Sequence, residues 1–373
     1  MPITITDVAQ EAGVSRATVS RVISGKTVTS DKVKSRVFAA IEKLGYQPNL
    51  VARSLRVQQS KIIGLIISDI QNPFYTGLVR AVEDTAHENN FMVFLCNSDE
   101  NIEKEILYVR LMVAEKVAGV VITPTRERDN PSRILIEAGV PVVAVDRSIM
   151  DLDVDSVVID NCQMAIELMD HLISDGHKRI AIISGPSTST TSRERLEGYF
   201  QALSNHGLPV DPALIRQGLP KEAFGYQAAR ELLELEQPPA ALFLLNNLLT
   251  LGALRAIHEK NLRIPEDIAL VGFDEVNWTS FINPPLTVAT QPTYELGRKA
   301  TELLINRIKQ PTLATARHVI GATVVIRNSC ANHSSSLEPA LRGPELPGSF
   351  ILGTRTSDAA REIPKGGAGD MRH

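Results

Sequence analysis

The pattern of apolar and polar positions changes near residue 61. Before that point apolar residues recur every three or four positions, and after it short continuous apolar runs alternate with helix-period segments. Continuous apolar runs separated by helices indicate parallel strands that are covered on both faces of a sheet. The sequence therefore predicts an all-α head over residues 1–46, a linker over 47–60 and an α/β body from residue 61.

The head contains the signals of three short helices. Thr4 precedes an acid by three positions, which suits a capping box, and Gly13 suits the turn that ends the first helix. Ser15 can cap a second helix over residues 16–24, and a third apolar stripe covers residues 30–45. Two short helices joined by a glycine-containing turn and supported by a third form a helix-turn-helix, whose second helix enters the major groove of DNA. The alternative is a generic three-helix bundle with arginines on its surface.

The charge of the chain is unevenly distributed. The whole chain has a formal net charge of −4, but residues 1–60 carry nine Lys or Arg and four acidic side chains, a net charge of +5. A basic head on an acidic body suits a polyanionic partner that only the head contacts. Charge alone does not distinguish this arrangement from a solvated basic face.

The linker, residues 47–60, combines a helix start with arginines. Asn49 can cap a short helix, which at this length needs a partner to be stable. Leu55 contributes to an apolar edge, while Arg53 and Arg56 point elsewhere. An apolar wedge flanked by arginines suits insertion into the minor groove of DNA, and the alternative is an ordinary polar linker.

In the body, polar side chains follow the ends of the predicted strands. The apolar runs predict two doubly wound parallel sheets in tandem, and ligands of such sheets bind beyond the carboxyl ends of the strands. Acids, amides, arginines and aromatic rings at these positions suit a polyhydroxylated ligand, although each one singly is equally a polar loop residue. The candidate ligand-binding residues are Asp69, Phe74, Tyr75, Asp146, Arg147, Arg193, Arg195, Asn246, Asn247, Asp274 and Trp278.

Three segments carry a resemblance to a known family. They are ITDVAQEAGVSRATVSRVISG, LGYQPNLVARSL and KIIGLIISDIQNPFY, in this order at residues 5–25, 44–55 and 61–75. Over about Ile3 to Arg327 the chain resembles the LacI/GalR family of bacterial transcription regulators. The resemblance implies an all-α helix-turn-helix head, an α/β body of two doubly wound parallel-sheet subdomains of periplasmic-binding-protein type, and a homodimer on a pseudo-palindromic, double-stranded operator.

The resemblance also implies which side chains contact DNA. The base-reading positions of the family fall on Arg16, Ala17 and Arg21, and Ala17 can offer only apolar contact, for example to a thymine methyl. Leu55, beside Ala52, stands where paired hinge helices insert a leucine. The candidate DNA-binding residues are Thr4, Ser15, Arg16, Ala17, Thr18, Ser20, Arg21, Asn49, Ala52, Arg53, Leu55 and Arg56.

Effector-contacting positions of the family match Arg195, Asn246 and Asp274 most closely, and Asp69 and Asp146 stand at lining positions. In such a fold a ligand closes the body about its hinge and alters the affinity of the head for DNA. The residues leave open whether the ligand releases the operator or recruits the protein to it.

The chemistry of the effector is indicated by the basic residues. Asn247 stands where many relatives have an aspartate, which removes a negative charge. Arg147, Arg193 and Arg195 also favour an anionic ligand. We therefore expect a sugar acid or a phosphorylated sugar; a neutral sugar is the main alternative, and a purine is a further one.

The domain boundaries are expected where the patterns change. The body divides into an N-subdomain, about 61–160 plus 291–320, and a C-subdomain, about 161–289 plus 321–330. Residues 331–373 are rich in Ser, Pro and Gly and are predicted to be disordered. The tail lacks a leucine heptad of the kind that joins some relatives into tetramers, so a dimer is expected.

Other classes of protein are disfavoured by the sequence. No apolar run of about 18 residues and no signal-peptide pattern are present, so we expect no membrane partner and a cytoplasmic, nucleoid-associated location. Three scattered cysteines indicate reduced thiols, and the histidines lack metal-ligand spacing, so neither a metal nor another cofactor is expected. Catalytic motifs such as a P-loop or a nucleophile elbow are missing, which disfavours an enzyme. A sugar-binding protein without a DNA role would share the body but not the basic head.

Overall fold

The computed structural model of the chain describes residues 3–24, 30–46 and 60–330. The predicted hinge residues Asn49, Ala52, Arg53, Leu55 and Arg56 and the predicted tail, residues 331–373, lie outside the described residues. Among the described helices, none is long and apolar enough to cross a membrane.

Three helices pack together in the described parts of the head. They are α1 (Ile5–Ala12), α2 (Arg16–Ser24) and α3 (Asp31–Leu44). Val8, Val19 and Val37, one from each helix, are fully buried at the centre of a small apolar core. The predicted helix-turn-helix is present, because the apolar positions of each helix fall on the face that packs against the other two.

Local contacts fix both ends of α1. The Asp7 carboxylate accepts hydrogen bonds from the backbone N–H of Thr4 at 2.7 Å and from its hydroxyl at 2.8 Å, and these contacts lower the pKa of Asp7. At the other end Gly13 has a φ of 61°, a left-handed conformation that favours glycine. Arg36 of α3 donates to the Ala12 carbonyl at 2.5 Å, so this guanidinium anchors the turn.

The first half of the body is built on a six-stranded parallel sheet. Its strands are β1 (Ile62–Ile67), β2 (Met92–Asn97), β3 (Gly119–Ile122), β4 (Val142–Val145), β5 (Asp155–Val158) and β11 (Arg317–Val319). Its helices are α4 (Phe74–Glu88), α5 (Ile102–Ala114), α6 (Ser132–Glu137) and α11 (Thr293–Lys309). The strand order is β11-β5-β4-β3-β1-β2, which leaves β2 at one edge.

The second half repeats this plan. Its strands are β6 (Ile180–Ser184), β7 (Ile215–Gln217), β8 (Ala241–Leu244), β9 (Ala269–Phe273), β10 (Thr287–Thr290) and β12 (Thr323–Val325). Its helices are α7 (Asn161–Ser174), α8 (Thr190–Asn205), α9 (Glu222–Leu233) and α10 (Asn247–Glu259). The order is β12-β10-β9-β8-β6-β7, and β12 runs antiparallel to β10 while the other pairs are parallel.

The chain passes between the two halves three times, after β5, after β10 and between β11 and β12. Because the two sheets have the same order, β4 and β9 occupy equivalent third positions. Both strands are fully buried, as their continuous apolar sequences predict for strands covered on both faces. The expected α/β body of two doubly wound subdomains is therefore present.

The cysteines are free thiols. Cys330 lies beside His171 and Asp175, in a group whose possible ligand atoms are all within 4.8 Å of one another. These are residue types that bind zinc, and their separation along the chain gave no sign of the group. The Cys330 sulfur is 3.1 Å from His171 Nε2, and burial raises the pKa of this thiol to about 11, so at neutral pH it is an uncharged thiol hydrogen bonded to the imidazole.

Candidate functional site

One face of α2 carries the predicted base-reading side chains. Arg16, Ala17, Ser20 and Arg21 are exposed, and together with Ile5 they line a shallow depression on the head. The opposite face of α2 supplies core residues, so the helical spacing determines which side chains face outward. Two guanidiniums beside an alanine can offer both charged and apolar contacts to the edges of base pairs.

The other predicted DNA-binding residues of the described head lie at helix starts. The Ser15 hydroxyl accepts the backbone N–H of Thr18 at 3.1 Å and is 2.9 Å from the Thr18 hydroxyl, which caps α2. At the start of α1 the Thr4 hydroxyl donates to the Asp7 carboxylate at 2.8 Å. These hydroxyls thus stabilise the ends of α1 and α2 whether or not they also contact DNA.

A cleft lies between the two halves of the body, at the carboxyl ends of the strands, where parallel sheets bind ligands. The cavity between its lining residues is small in this structure, about 40 Å³. The predicted residues in its lining are Phe74, Tyr75, Asp146, Arg147, Arg195, Asn246 and Asp274. The other lining residues are Asn72, Glu100, Gly185, Pro186, Ser189, Thr191, Ser192, Pro220, Leu245, Leu249 and Gln291.

The three carboxylates of the cleft lining all lie on left-handed backbone. The φ angle is 54° at Glu100, 68° at Asp146 and 75° at Asp274. Residues with a Cβ rarely adopt these values, and each such residue costs about 1–3 kcal/mol that the surrounding structure must offset. The backbone is therefore strained at the positions where it presents carboxylates to the cleft.

Asp146 and Asp274 occupy equivalent places in the two halves. Asp146 directly follows β4 and Asp274 directly follows β9, the third strand of each sheet. The backbone N–H of Asp146 donates to the Val157 carbonyl and that of Asp274 donates to the Ala289 carbonyl, each at 2.9 Å, on the adjacent strand. The repeated sheet topology thus supplies one carboxylate from each side of the cleft.

Burial governs the charge state of Asp146. Its carboxyl group lies inside the protein, and burial raises its pKa to about 6 although the guanidiniums of Arg147 and Arg195 oppose the shift. The Tyr75 hydroxyl donates to Asp146 at 3.4 Å and lies 2.7 Å from the Ser68 hydroxyl. Asp146 is therefore a carboxylate with few protein donors, which leaves acceptor capacity for a ligand hydroxyl.

Asp274 has a similar environment. Burial raises its pKa above the ordinary value, against the attraction of the Arg195 guanidinium. Gln291 Nε2 donates to one carboxylate oxygen at 2.6 Å. Gln291 follows β10, in one of the three segments that cross between the halves. This contact therefore connects Asp274 in the cleft wall to a crossing segment.

Arg147 is held by a second acid from the same half. Glu100 accepts two hydrogen bonds from its guanidinium, at 2.6 Å and 2.9 Å, and the Pro124 carbonyl accepts a third at 3.2 Å. The two side chains are only 9% and 6% exposed. Burial alone would raise the pKa of Glu100, but the charge and hydrogen bonds of Arg147, with smaller contributions from Ser68 and Lys221, together lower that pKa. The pair is a bidentate ion pair built into the wall of the cleft.

Arg195 is fixed by neutral acceptors. Its Nε donates to Asn161 Oδ1 at 2.8 Å, and its Nη1 donates to the Leu245 carbonyl at 2.5 Å. The guanidinium carbon lies 3.8 Å from the centroid of the Phe273 ring, a cation–π contact. Its position is thus determined by the protein before any ligand arrives.

Two adjacent asparagines have different roles. Asn246 caps α10, because its side-chain oxygen accepts the backbone N–H of Leu249 at 2.8 Å. Asn247 is buried and donates from Nδ2 to Asn72 Oδ1 at 2.8 Å, which joins the two halves of the body. Three buried polar atoms in this region, Arg147 Nε, Asn247 Oδ1 and Gln291 Oε1, have no hydrogen-bond partner among the described residues. Such atoms in a native protein usually bind water or a ligand.

Four predicted ligand-binding residues are outside the lining of the cleft: Asp69, Arg193, Asn247 and Trp278. Asp69 accepts from Lys221 Nζ at 2.7 Å, and the same ammonium group lies 2.5 Å from Asp99, so Lys221 joins the halves. Arg193 pairs with Glu127 of the other half at 3.0 Å. Trp278 packs against the apolar core.

Sequence reasoning did not single out Asn72, Glu100, Lys221 or Gln291. Asn72 lies within the quoted segment that ends at Tyr75, and Glu100 lies shortly after the second apolar run. The same rule that identified residues after the other strands could have found both. No comparable signal marks Lys221, because its partners come from a distant part of the chain.

Comparison with known proteins agrees with this arrangement. Residues 4–49 match the model of bacterial regulatory proteins of the lacI family, and residues 60–329 match that of periplasmic binding proteins and the sugar binding domain of the LacI family. The chain is 37% identical over 329 residues to the ribose operon repressor of Escherichia coli strain K12, across 87% of this chain and 99% of that protein. It is 36% identical over 341 residues to the probable HTH-type transcriptional regulator EndR of Paenibacillus polymyxa, across 90% and 99% of the two chains.

Solved structures show the same architecture. The lac repressor dimer bound to operator and the anti-inducer ONPF is 28% identical with a TM-score of 0.79, across 89% of this chain and all of that one (100%). The complex of the transcriptional regulator CelR with cellobiose is 34% identical with a TM-score of 0.67, across 88% of this chain and 99% of the other. With a helix-turn-helix head, two sheets of equal topology and matches along nearly the whole chain, this protein belongs to the LacI family of bacterial transcriptional regulators.

Proposed function

We propose that this chain is a transcriptional repressor that binds a pseudo-palindromic operator as a homodimer and responds to a sugar-type effector in the cleft. The observation that carries the proposal is the presence, in one chain, of an exposed arginine-bearing face on α2 and a cleft lined by buried carboxylates and guanidiniums. A sugar-binding protein without a DNA role has no need of the first feature. A DNA-binding protein without a ligand has no need of the second.

The head supplies the specific contacts to DNA. We assign the contacts with base edges in the major groove to Arg16 and Arg21, and an apolar contact to Ala17, because all three are exposed on one face of α2. On the strength of the family membership, we assign the minor-groove contact to Leu55 and its neighbour Ala52. Replacing Leu55 by Ala is then expected to weaken operator binding and to leave most of the salt-driven, non-specific binding in place.

Exposed apolar surface supports the homodimer. Strand β2 lies at the edge of the first sheet, and its Met92, Phe94 and Leu95 are exposed, Met92 by 57%. Phe281 in the second half is 84% exposed. An apolar sheet edge is usually covered, and a second copy of this chain would cover it while supplying the second head that a two-fold operator requires. The operator-bound lac repressor relative is a dimer.

The cleft supplies the response to a small molecule. Buried carboxylates accept from sugar hydroxyls, and fixed arginines donate to sugar oxygens. Relatives are named for ribose and are seen with cellobiose, which supports a sugar-type effector here. The relatives are regulators, which supports a binding role for these polar groups and disfavours catalysis.

Contacts across the cleft link ligand binding to the position of the heads. The halves are joined by Lys221 with Asp69, by Asn247 with Asn72, and by Arg193 with Glu127. A ligand that bridges the same two walls stabilises this closed arrangement, and closure about the three crossing segments alters the spacing of the dimer's heads. The expected coupling between ligand and operator is about 1–3 kcal/mol, or about 5- to 150-fold in affinity.

A gel-shift experiment with the full chain tests the proposal. The probes are promoter fragments that contain palindromes, including that of the chain's own gene, against bulk genomic DNA, each with and without sugars. We expect one palindromic fragment to be bound preferentially and its affinity to change by about 5- to 150-fold when the effector is added. Equal binding of all fragments in every condition would show that the proposal is wrong.

The dimer is tested separately by sedimentation. Leu95→Glu places a charge on the exposed edge of β2 and is expected to convert the dimer to a monomer and to abolish specific operator binding. Leu313→Glu is the matched control, because Leu313 is also exposed but lies outside that strand. If both variants remain dimeric, β2 is not part of the interface.

A further inference from the structure

We propose that the cleft selects a neutral sugar over the corresponding sugar acid or sugar phosphate, and that Glu100 is the residue that sets this selection. The inference rests on the proposed function, because it names the class of effector that the same cleft accepts. It reverses the expectation of an anionic effector, which was based on the presence of Arg147, Arg193 and Arg195 in the sequence.

The balance of charge in the cleft is the first step. Of the residues that line it, Glu100, Asp146 and Asp274 are acidic and Arg147 and Arg195 are basic. Three carboxylates and two guanidiniums give a net negative lining when all are ionised. All five side chains are buried or nearly so, so solvent and salt screen these charges weakly. An anionic ligand would therefore enter a region that already has an excess of negative charge.

Arg147 is the basic residue of the cleft with which an anionic ligand would be expected to pair. Two of its N–H groups are taken by the Glu100 carboxylate, at 2.6 Å and 2.9 Å, in the forked geometry that a ligand carboxylate or phosphate would otherwise occupy. Its Nε has no partner among the described residues, and it lies 3.7 Å from the nearest Asp146 oxygen. Arg147 thus uses three of its five N–H groups on the protein and keeps Nε–H and one Nη2–H, while the end-on fork of Nη1 and Nη2 is occupied by Glu100.

Of the other two arginines, Arg193 is outside the cleft and Arg195 is already partly engaged by the protein. Arg193 is outside the cleft lining and is bound to Glu127 at 3.0 Å and to Glu197 at 2.9 Å. Arg195 lies in the cleft, but its Nε and Nη1 are engaged by the protein. The positive charge of Arg195 is also partly compensated by the carboxylates of Asp146 and Asp274.

The unsatisfied groups match a polyhydroxylated ligand. Asp146 and Asp274 offer carboxylate oxygens to hydroxyl donors from opposite walls, and Arg147 Nε and Gln291 Oε1 offer one donor and one acceptor. The raised pKa values of Asp146 and Asp274 have burial as their main cause, and a ligand hydroxyl that donates to either carboxylate would stabilise its charged form. A sugar ring supplies such donors without adding charge, and the Phe74 ring in the lining can cover its apolar face.

Glu100 is placed for this role by its backbone. Both Asp99 and Glu100 have positive φ, 57° and 54°, directly beyond β2. Asp99 contacts Lys221 of the opposite half, while Glu100 contacts Arg147 in the wall of the cleft. The strained turn thus positions the Glu100 carboxylate beside the Arg147 guanidinium. The side-chain contacts of Asp99 and Glu100 offset the cost of the backbone strain.

Calorimetric titration of the full chain with matched neutral and anionic sugars tests the inference. The probes are glucose, glucuronate and glucose 6-phosphate; galactose and galacturonate; and ribose and ribose 5-phosphate. In the natural chain the best neutral sugar should bind at least about 100-fold more tightly than its acid or phosphate, because an unpaired buried charge is strongly disfavoured. The affinity for the neutral sugar should change little with salt, since no net charge is transferred into the cleft.

The variant Glu100→Gln removes the negative charge and frees the Arg147 fork. We expect the ratio of acid affinity to neutral affinity to rise by at least about 30-fold, with the neutral sugar bound more weakly than by the natural chain. The matched control is Glu275→Gln, which breaks another bidentate pair, with Arg327 at 2.8 Å, outside the cleft lining. The control should leave the ratio unchanged.

Each outcome supports or overturns the inference. A natural chain that prefers the acid or the phosphate overturns it, and so does a folded Glu100→Gln variant whose ratio does not change. Circular dichroism shows whether Glu100→Gln folds. If it does not fold, the test of the inference is the preference of the natural chain, together with that of the double variant Glu100→Gln/Arg147→Met. Binding of no sugar by a chain that still binds its operator would overturn the sugar-sensing function itself, which is distinct from a wrong preference between bound sugars.

Discussion

The head and the cleft use charged side chains in opposite ways. On α2, Arg16 and Arg21 are exposed on a segment with a net positive charge, which suits a polyanionic partner. In the cleft, Arg147 and Glu100 are 9% and 6% exposed and compensate each other. Under the proposed function the head therefore attracts DNA by its net charge, whereas the cleft recognises its ligand by directed hydrogen bonds. We expect operator affinity to fall steeply as salt increases and effector affinity to be nearly insensitive to salt.

The largest expected effect comes from Arg16→Ala on the exposed face of α2. A bidentate arginine–guanine contact is worth about 1–3 kcal/mol and occurs in both half-sites of a dimer, so operator affinity should fall by about 100-fold or more. Fluorescence anisotropy with operator and with random DNA measures the loss. Lys34→Ala, on α3, removes the same charge and should weaken both DNAs equally. An equal loss on both DNAs in Arg16→Ala would show that this residue does not read sequence.

The next largest effect is expected from a substitution in the cleft. Asp274→Asn replaces a buried carboxylate of the cleft and should weaken effector binding by about 10- to 100-fold, because hydrogen bonds to charged groups are worth about 1.5–3 kcal/mol. Operator binding without effector should not change, and the response to effector should be lost. Asp211→Asn, which breaks a contact of 2.7 Å with Arg179 outside the cleft lining, is the control in titration calorimetry. Unchanged effector affinity in Asp274→Asn would show that Asp274 does not contact the effector.

A smaller effect is expected from the contact that joins the two walls. Lys221→Met leaves Asp69, which is 2% exposed, without its cation and so disfavours closure of the cleft. Because apparent affinity scales with the fraction of closed protein, the effector should bind about tenfold more weakly and dissociate faster. Lys260→Met, which breaks a surface contact with Glu234, is the control in stopped-flow measurements. A larger loss of operator affinity than of effector affinity would contradict this role.

The smallest effect is a dependence on pH. Ligand hydroxyls need the ionised form of Asp146, whose pKa is raised to about 6 by burial, so effector affinity should fall about fourfold from about pH 7 to about pH 5.5. In the free protein the sign is opposite: the folded state holds this proton more tightly than the unfolded chain, whose pKa is near 3.8. The free energy of unfolding should therefore decrease as pH rises from about 4 to about 6. Asp146→Asn should flatten this region of both profiles, measured by calorimetry and by thermal unfolding.

Much of the fold could be predicted because it depends on short-range periodicity. The apolar spacing of residues 5–44 gives the three helices, and the continuous apolar runs give most strands of the two sheets, but not the short, polar β7 and β11. The positions after β4 and β9 identified Asp146 and Asp274, since parallel strands present their carboxyl ends at one edge. These features require no knowledge of which distant residues meet.

The charge of the cleft could not be predicted in the same way. Arg147 and Glu100 are 47 residues apart, and Arg193 and Glu127 are 66 apart, so the sequence shows the arginines without their partners. The left-handed backbone at Glu100, which directs its carboxylate into the cleft, has no sequence signal because glycine is absent there. Counting basic residues near strand ends therefore leaves out the acidic residues that pair with them.

The left-handed backbone at the acidic residues of the cleft also affects how the sequence of such a regulator can evolve. Glycine at residue 146 or 274 would relieve backbone strain and, in the absence of a ligand, would tend to make the folded protein more stable. Under the proposed function the same replacement would remove a group that contacts the effector. Selection for thermal robustness alone would thus drive the cleft towards a stable but unresponsive repressor, and only continued benefit from sensing preserves the acids at these positions.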